Sequence, residues 1–234
     1  MITVDKLNAG YGRLHILFDV DIEVREKSIT VVVGPNGSGK STLLRSIFGL
    51  TKIYSGSIKY NGEEITGLAP HQVARRGVAY LPQTDNVFAN LTVRENLMMA
   101  CYTLDKKTSE ERMERVLDFF PMLRGFMNRK SGTLSGGERQ MVAMAMALLR
   151  EPKVMMFDEP TGNLSPKLAM EVLGKIRELR DKLGITILLV EQNAKKALEL
   201  GDHCYLLVSG RVAFEGHPKS LLSHAELSKL YLGV

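Results

Sequence analysis

Gly34-Pro35-Asn36-Gly37-Ser38-Gly39-Lys40-Ser41 has the residue types and spacing, G-x-x-x-x-G-K-S, of a loop that cradles phosphate. An apolar run at residues 30–33 precedes it and a helical pattern over 41–48 follows. The glycines let backbone N–H groups turn inward as an anion nest, and the helix N-terminus adds its positive end. In such a loop the ammonium of Lys40 reaches the β- and γ-phosphates and the hydroxyl of Ser41 holds Mg2+. A second cluster is Asp158-Glu159 at the end of the apolar run 154–157. Adjacent side chains on a strand point opposite ways, so the two carboxylates have different jobs unless the chain bends there. The economical assignment gives Asp158 to the metal and Glu159 to an attacking water as general base. A third string, Leu134-Ser135-Gly136-Gly137-Glu138, opens a strong helical pattern over 138–150. Serine is a preferred N-cap and glutamate favours a first turn, so the string reads as an ordinary capped helix or as a second anion-facing N-terminus.

Elements must position these groups. The runs 29–33, 154–157 and 185–190 are short, apolar but for Thr30 and Thr186, and followed by helical patterns at 41–48, 167–183 and 194–200. Strands apolar on both faces and alternating with helices predict a parallel sheet covered on both sides. Residues 2–7, 16–24 and 56–60 alternate instead, and predict antiparallel strands flanking that sheet. The middle is helical: Thr92 and Glu95 have capping-box spacing, and 109–120 is a charged amphipathic pattern stopped by Pro121. The expected organisation is one domain, with an α/β lobe at about 1–85 and 150–234 and an inserted helical lobe at about 86–149.

Composition narrows the class. The 234 residues are 44% hydrophobic and 24% charged, an ordinary globular balance. No apolar stretch approaches the ~20 residues of a membrane span, and strand-like alternation begins at Met1, leaving no room for a signal peptide. Cys101 and Cys204 are far apart and outside metal-ligand spacing, as expected of reduced cytosolic thiols. The net charge of +5 suits a polyanionic ligand, but no basic run is interleaved with aromatics, so no nucleic-acid partner is expected. The five histidines form no spaced metal set, and Met98, Met99, Met141, Met144, Met146, Met155 and Met156 read as gap-fillers.

The three strings in this order resemble the Walker A, signature and Walker B motifs of ATP-binding cassette (ABC) ATPases over essentially the whole chain. That resemblance implies a P-loop NTPase (RecA-like) α/β fold with an N-terminal antiparallel β subdomain and an inserted helical signature subdomain. It implies ATP and Mg2+ as cofactors, ADP as product, and catalytic roles for Lys40, Glu159, Gln83 and Gln192. Asn36, Gly37, Ser38, Gly39, Lys40, Ser41 and Thr42 would bind nucleotide, with Tyr11 stacking on adenine. Ser41, Gln83 and Asp158 would hold the metal. Ser135, Gly136 and Gly137 would serve in trans, capping the nucleotide of a second protomer in a head-to-tail dimer. Residues 86–96 would contact integral membrane permease subunits, which places the chain peripherally at the cytoplasmic face of the cell membrane.

Two positions depart from the commonest pattern. Gln192 replaces the switch histidine, and a glutamine can donate to a γ-phosphate oxygen but carries no positive charge. Ser165 stands where the loop after Walker B usually has aspartate. Val190-Glu191-Gln192-Asn193, together with the closing Leu230-Tyr231-Leu232-Gly233, resembles the ATPases of branched-chain (hydrophobic) amino acid importers, a pattern shared with amide and urea importers. Nucleic-acid relatives need a long heptad-rich insertion before the signature, which this interval lacks, and a non-transport ATPase of cofactor assembly is the remaining class.

Overall fold

A computed structural model describes residues 1–84, 86–224 and 227, so the closing motif at 230–233 lies outside the described residues. In chain order the first elements are β1 (Ile2–Tyr11), β2 (Leu14–Val24), β3 (Ile29–Val33), α1 (Lys40–Ile47), β4 (Lys52–Tyr60), β5 (Glu63–Glu64), α2 (Pro70–Arg75) and β6 (Val78–Leu81). Helices α3 (Val93–Ala100), α4 (Lys106–Phe119) and α5 (Gly136–Leu148) follow. The chain then returns to alternation: β7 (Val154–Asp158), α6 (Pro166–Leu183), β8 (Thr186–Val190), α7 (Ala194–Leu200), β9 (His203–Val208), β10 (Arg211–Gly216) and α8 (Pro218–Ser223). It divides into two compact units: Met1–Tyr80, Lys153–Glu159 and the residues from Lys175 onward form one, Leu81–Pro152 with Pro160–Gly174 the other.

The first unit holds two sheets. One is antiparallel, β2-β1-β4-β5, and the other runs β10-β9-β3-β8-β7-β6. Strands β9, β3, β8 and β7 pair in parallel, and β10 returns antiparallel against β9. Every residue of β3, β7 and β8 is buried, as their largely apolar runs predict, and Thr30, Thr186 and Asp158 are the polar residues buried with them. Helix α1 has eight residues, too short to persist on propensity. Its buried Leu43, Leu44 and Ile47 join a core with Val32, Met156 and Leu188, and each such side chain contributes about 1.5–3 kcal/mol on leaving water. Packing therefore holds the helix that carries Lys40 and Ser41.

The second unit corrects several boundaries. Helix α4 starts at Lys106 because Asp105 accepts the N–H of Thr108 as its cap, and α5 starts at Gly136 because Ser135 caps it. The capping box at Thr92 and Glu95 starts α3. Asn96 is fully buried and makes no surface for a partner. Its amide donates to the carbonyls of Phe88 (3.0 Å) and Thr92 (2.9 Å) and to Ser131 Oγ (3.0 Å), while its Oδ1 accepts the N–H of Phe88 at 2.8 Å. An amide placed this way braces the loop before α3, which exposes Phe88 together with Ala89 and Asn90. Among the described residues, no helix is long and apolar enough to cross a membrane.

Candidate nucleotide site

The loop between β3 and α1 is built by glycine where no other residue fits. Gly34 has φ 150°, and a Cβ there would collide with the backbone carbonyl of Leu207. Gly39 caps α1 in the left-handed region (φ 101°) with no side-chain cap, so no side chain of the cap consumes the first helical N–H groups. Ser38 Oγ is buried without a hydrogen-bond partner, an orphaned polar atom of the kind a ligand oxygen satisfies. Asn36 and Gly37 are exposed at the turn, and Thr42 is buried one residue beyond Ser41.

Lys40 is 4% exposed, and its Nζ donates to the carbonyls of Gly34 (2.9 Å) and Pro35 (3.0 Å). Glu159 Oε1 lies 3.7 Å away. Burial lowers the pKa of this ammonium, and the carboxylates of Glu159 and Asp158 oppose the shift. Ser41 Oγ donates to Asp158 Oδ1 at 2.7 Å, and Tyr80 donates to Asp158 Oδ2 at 2.9 Å. Burial pushes the Tyr80 hydroxyl up to about 12, so it remains a donor at neutral pH.

The two adjacent carboxylates both face this cluster because the backbone turns. Glu159 has φ 47°, a left-handed conformation uncommon for a residue with a side chain. Its N–H is held by the carbonyl of Val190 at 2.9 Å, the next strand in the sheet. Strand alternation ends at Asp158, and the turn brings Glu159 to the same side.

Tyr11, at the end of β1 and 38% exposed, accepts from Arg45 Nη1 at 3.2 Å. Gln192 is exposed just past β8, while its neighbour Glu191 is buried with its N–H on the carbonyl of Val32. Gln83, Ser135, Gly136 and Gly137 belong to the second unit. There Ser135 Oγ accepts the N–H of Glu138 (3.3 Å), and Glu138 Oε2 accepts that of Ser135 (2.7 Å), a reciprocal capping box. Gly136 and Gly137 have a packing reason as well: added Cβ atoms would press on Leu164 and Leu168. Ser165 Oγ accepts the N–H of Leu168 at 3.5 Å and its carbonyl that of Ala169 at 2.9 Å, so this serine starts α6 as an aspartate would.

The family described as ABC transporter matches residues 17–162. The probable branched-chain amino acid transport ATP-binding protein LivF of Archaeoglobus fulgidus is 61% identical over 234 residues, spanning 100% of this chain and 99% of that protein. The chain belongs to the ABC transporter family. It is an ATP-binding cassette, an enzyme that binds and hydrolyses ATP. Its fold matches the ADP conformation of a solved ATP-binding cassette with a TM-score of 0.89 at 28% identity, over 98% of this chain and 97% of the other. A bacterial cassette solved as a dimer matches with a TM-score of 0.80 at 26% identity, over 93% and 99%.

In the cassette, two residues join the site that the motifs do not mark. Arg45 and Tyr80 lie 35 positions apart, and Tyr80 lies 78 positions before Asp158. Only the adjacency of β6 and β7 and the facing of α1 bring them together. The donors near the phosphate loop fit a magnesium ion chemically: Ser41 Oγ and Asp158 Oδ1 are hard oxygen ligands side by side. No group of three or more His, Cys, Asp or Glu able to hold a metal occurs among the described residues. Two protein oxygens supplemented by substrate phosphate and water is the arrangement Mg2+ commonly takes.

Proposed function

We propose that this cassette is the ATP-hydrolysing subunit of an importer for branched-chain or hydrophobic amino acids. The observation that carries this reading is the full-length 61% identity to a branched-chain amino acid transport ATP-binding protein. The Val190-Glu191-Gln192-Asn193 switch supports the same substrate class. The working assembly is a pair of cassettes at the cytoplasmic face of the membrane, docked on separate permease subunits. The dimeric solved relative supports the pairing.

The chemistry follows from the cluster around Lys40. ATP phosphates occupy the loop at residues 34–41, with Lys40 neutralising the β- and γ-oxygens and Tyr11 stacking on the base. Ser41 and Asp158, joined by Gln83, would hold Mg2+, which supplies charge neutralisation on the transferring phosphoryl group. Glu159, turned toward Lys40, takes the proton of the attacking water, and Gln192 donates to a γ-phosphate oxygen. Ser135, Gly136 and Gly137 present their helix N-terminus to the partner's nucleotide.

The reaction test is Glu159→Gln. It keeps size and hydrogen-bonding capacity but removes the base, so ATP affinity stays near wild type while hydrolysis falls about 10²–10⁴-fold. Wild-type turnover in that variant would overturn the assignment of the base. Leucine uptake by vesicles carrying the copurified permease, lost on adding the variant, tests the substrate class against urea and short amides.

A further inference from the structure

We propose that Tyr80 is a positioning residue for the metal-binding carboxylate of Asp158, with Arg45 holding Tyr80 in place. This rests on the reading of Ser41 and Asp158 as the magnesium-holding pair. Asp158 is 2% exposed, so water does not freely satisfy its oxygens. Ser41 Oγ takes Oδ1 at 2.7 Å and Tyr80 OH takes Oδ2 at 2.9 Å, one partner for each oxygen. With both engaged, the plane of the carboxylate is set and Oδ1 stays beside Ser41. Without Tyr80, Oδ2 would be a buried carboxylate oxygen lacking a partner, and rotation toward another donor would carry Oδ1 off the metal side.

Tyr80 is itself gripped. Its ring packs against Phe48 with centroids 5.5 Å apart, and Arg45 Nε approaches its hydroxyl at 3.5 Å. The same guanidinium donates through Nη1 to Tyr11 at 3.2 Å. Arg45 therefore brackets two tyrosines: one orients the metal carboxylate, and the other is the expected adenine contact. Removing a hydrogen bond from a carboxylate raises its charge density, which alone would favour a cation. Misorientation outweighs this, because a metal accepts a ligand only within narrow geometry, strictest for Mg2+.

The test measures how far a divalent ion strengthens nucleotide binding. A fluorescent ATP analogue with a non-hydrolysable β,γ-bridge is titrated into the whole chain with excess EDTA and then with Mn2+. The affinity ratio isolates the protein's hold on the ion. Asp158→Asn should remove most of that ratio. Tyr80→Phe should lower it about tenfold, the scale of one hydrogen bond to a charged acceptor, and leave the EDTA affinity within about twofold. Arg45→Met should lower the ratio about threefold, and it serves as the second variant should Tyr80→Phe unfold. A wild-type ratio in Tyr80→Phe, with Asp158→Asn impaired, would overturn the role of Tyr80 and leave the metal reading standing. Equal losses with EDTA and with Mn2+ would also overturn it, since they signal general damage to the site. A wild-type ratio in Asp158→Asn would overturn the metal reading itself.

Discussion

Gly34 and Gly37 lie three residues apart in one loop and answer to different constraints. Gly37 has φ 77° with nothing near its missing Cβ, whereas Gly34 has φ 150° with the Leu207 carbonyl where a Cβ would go. Alanine at Gly37 should therefore cost about 1–2 kcal/mol, the left-handed penalty. Alanine at Gly34 must displace backbone of the neighbouring strand, and should cost about 3 kcal/mol or more. Urea unfolding of the two variants checks the contrast, and equal costs would contradict it. The turn at Glu159 belongs to this scale too. One residue in the left-handed region converts two oppositely facing carboxylates into a pair that shares a site with Lys40.

At the scale of elements, the parallel sheet stores its own pH dependence. Cys204 on β9 is fully buried, and burial pushes its thiol from 9.0 up to about 12. Above pH 9 the unfolded chain releases this proton while the folded chain keeps it, so the folded state binds more protons and stability falls as pH rises. The loss begins near pH 9 and reaches roughly 3 kcal/mol by pH 11, at about 1.4 kcal/mol per unit. Cys204→Ala should be less stable at pH 8 because of the cavity it leaves, yet show a shallower decline between pH 9 and 11. Denaturant midpoints across that range measure the difference, and parallel slopes would refute it. The helical elements obey local rules more simply: Thr92, Asp105 and Ser135 each start a helix by accepting an N–H three residues on.

At the scale of the whole molecule, the reading of Ser135, Gly136 and Gly137 requires a second protomer. A cassette that closes on ATP and cannot hydrolyse it should remain closed. Light scattering of Glu159→Gln should show twice the 26.0 kDa chain mass with ATP and a divalent ion, and a single chain with ADP. Adding Ser135→Arg should restore the single mass by placing a bulky cation at the shared nucleotide, without weakening ATP binding to the lone chain. Doubling that survives Ser135→Arg would place the contact elsewhere.

The phosphate loop, the acidic strand end and the capped signature helix were legible in sequence because each is a contiguous string whose geometry is set by its own residues. The apolar runs of β3, β7 and β8 were legible for the same reason, burial on both faces leaving Thr30, Thr186 and the terminal Asp158 as their polar positions. Strands β9 and β10 were not read, nor was the burial of Asn96, since both depend on what packs against them. Tertiary structure alone decided that Glu159 turns toward Lys40, that Arg45 bridges Tyr11 and Tyr80, and that Tyr80 grips Asp158. A local string records which groups are available. Their mutual orientation comes from pairing strands far apart in the chain, which no short spacing encodes.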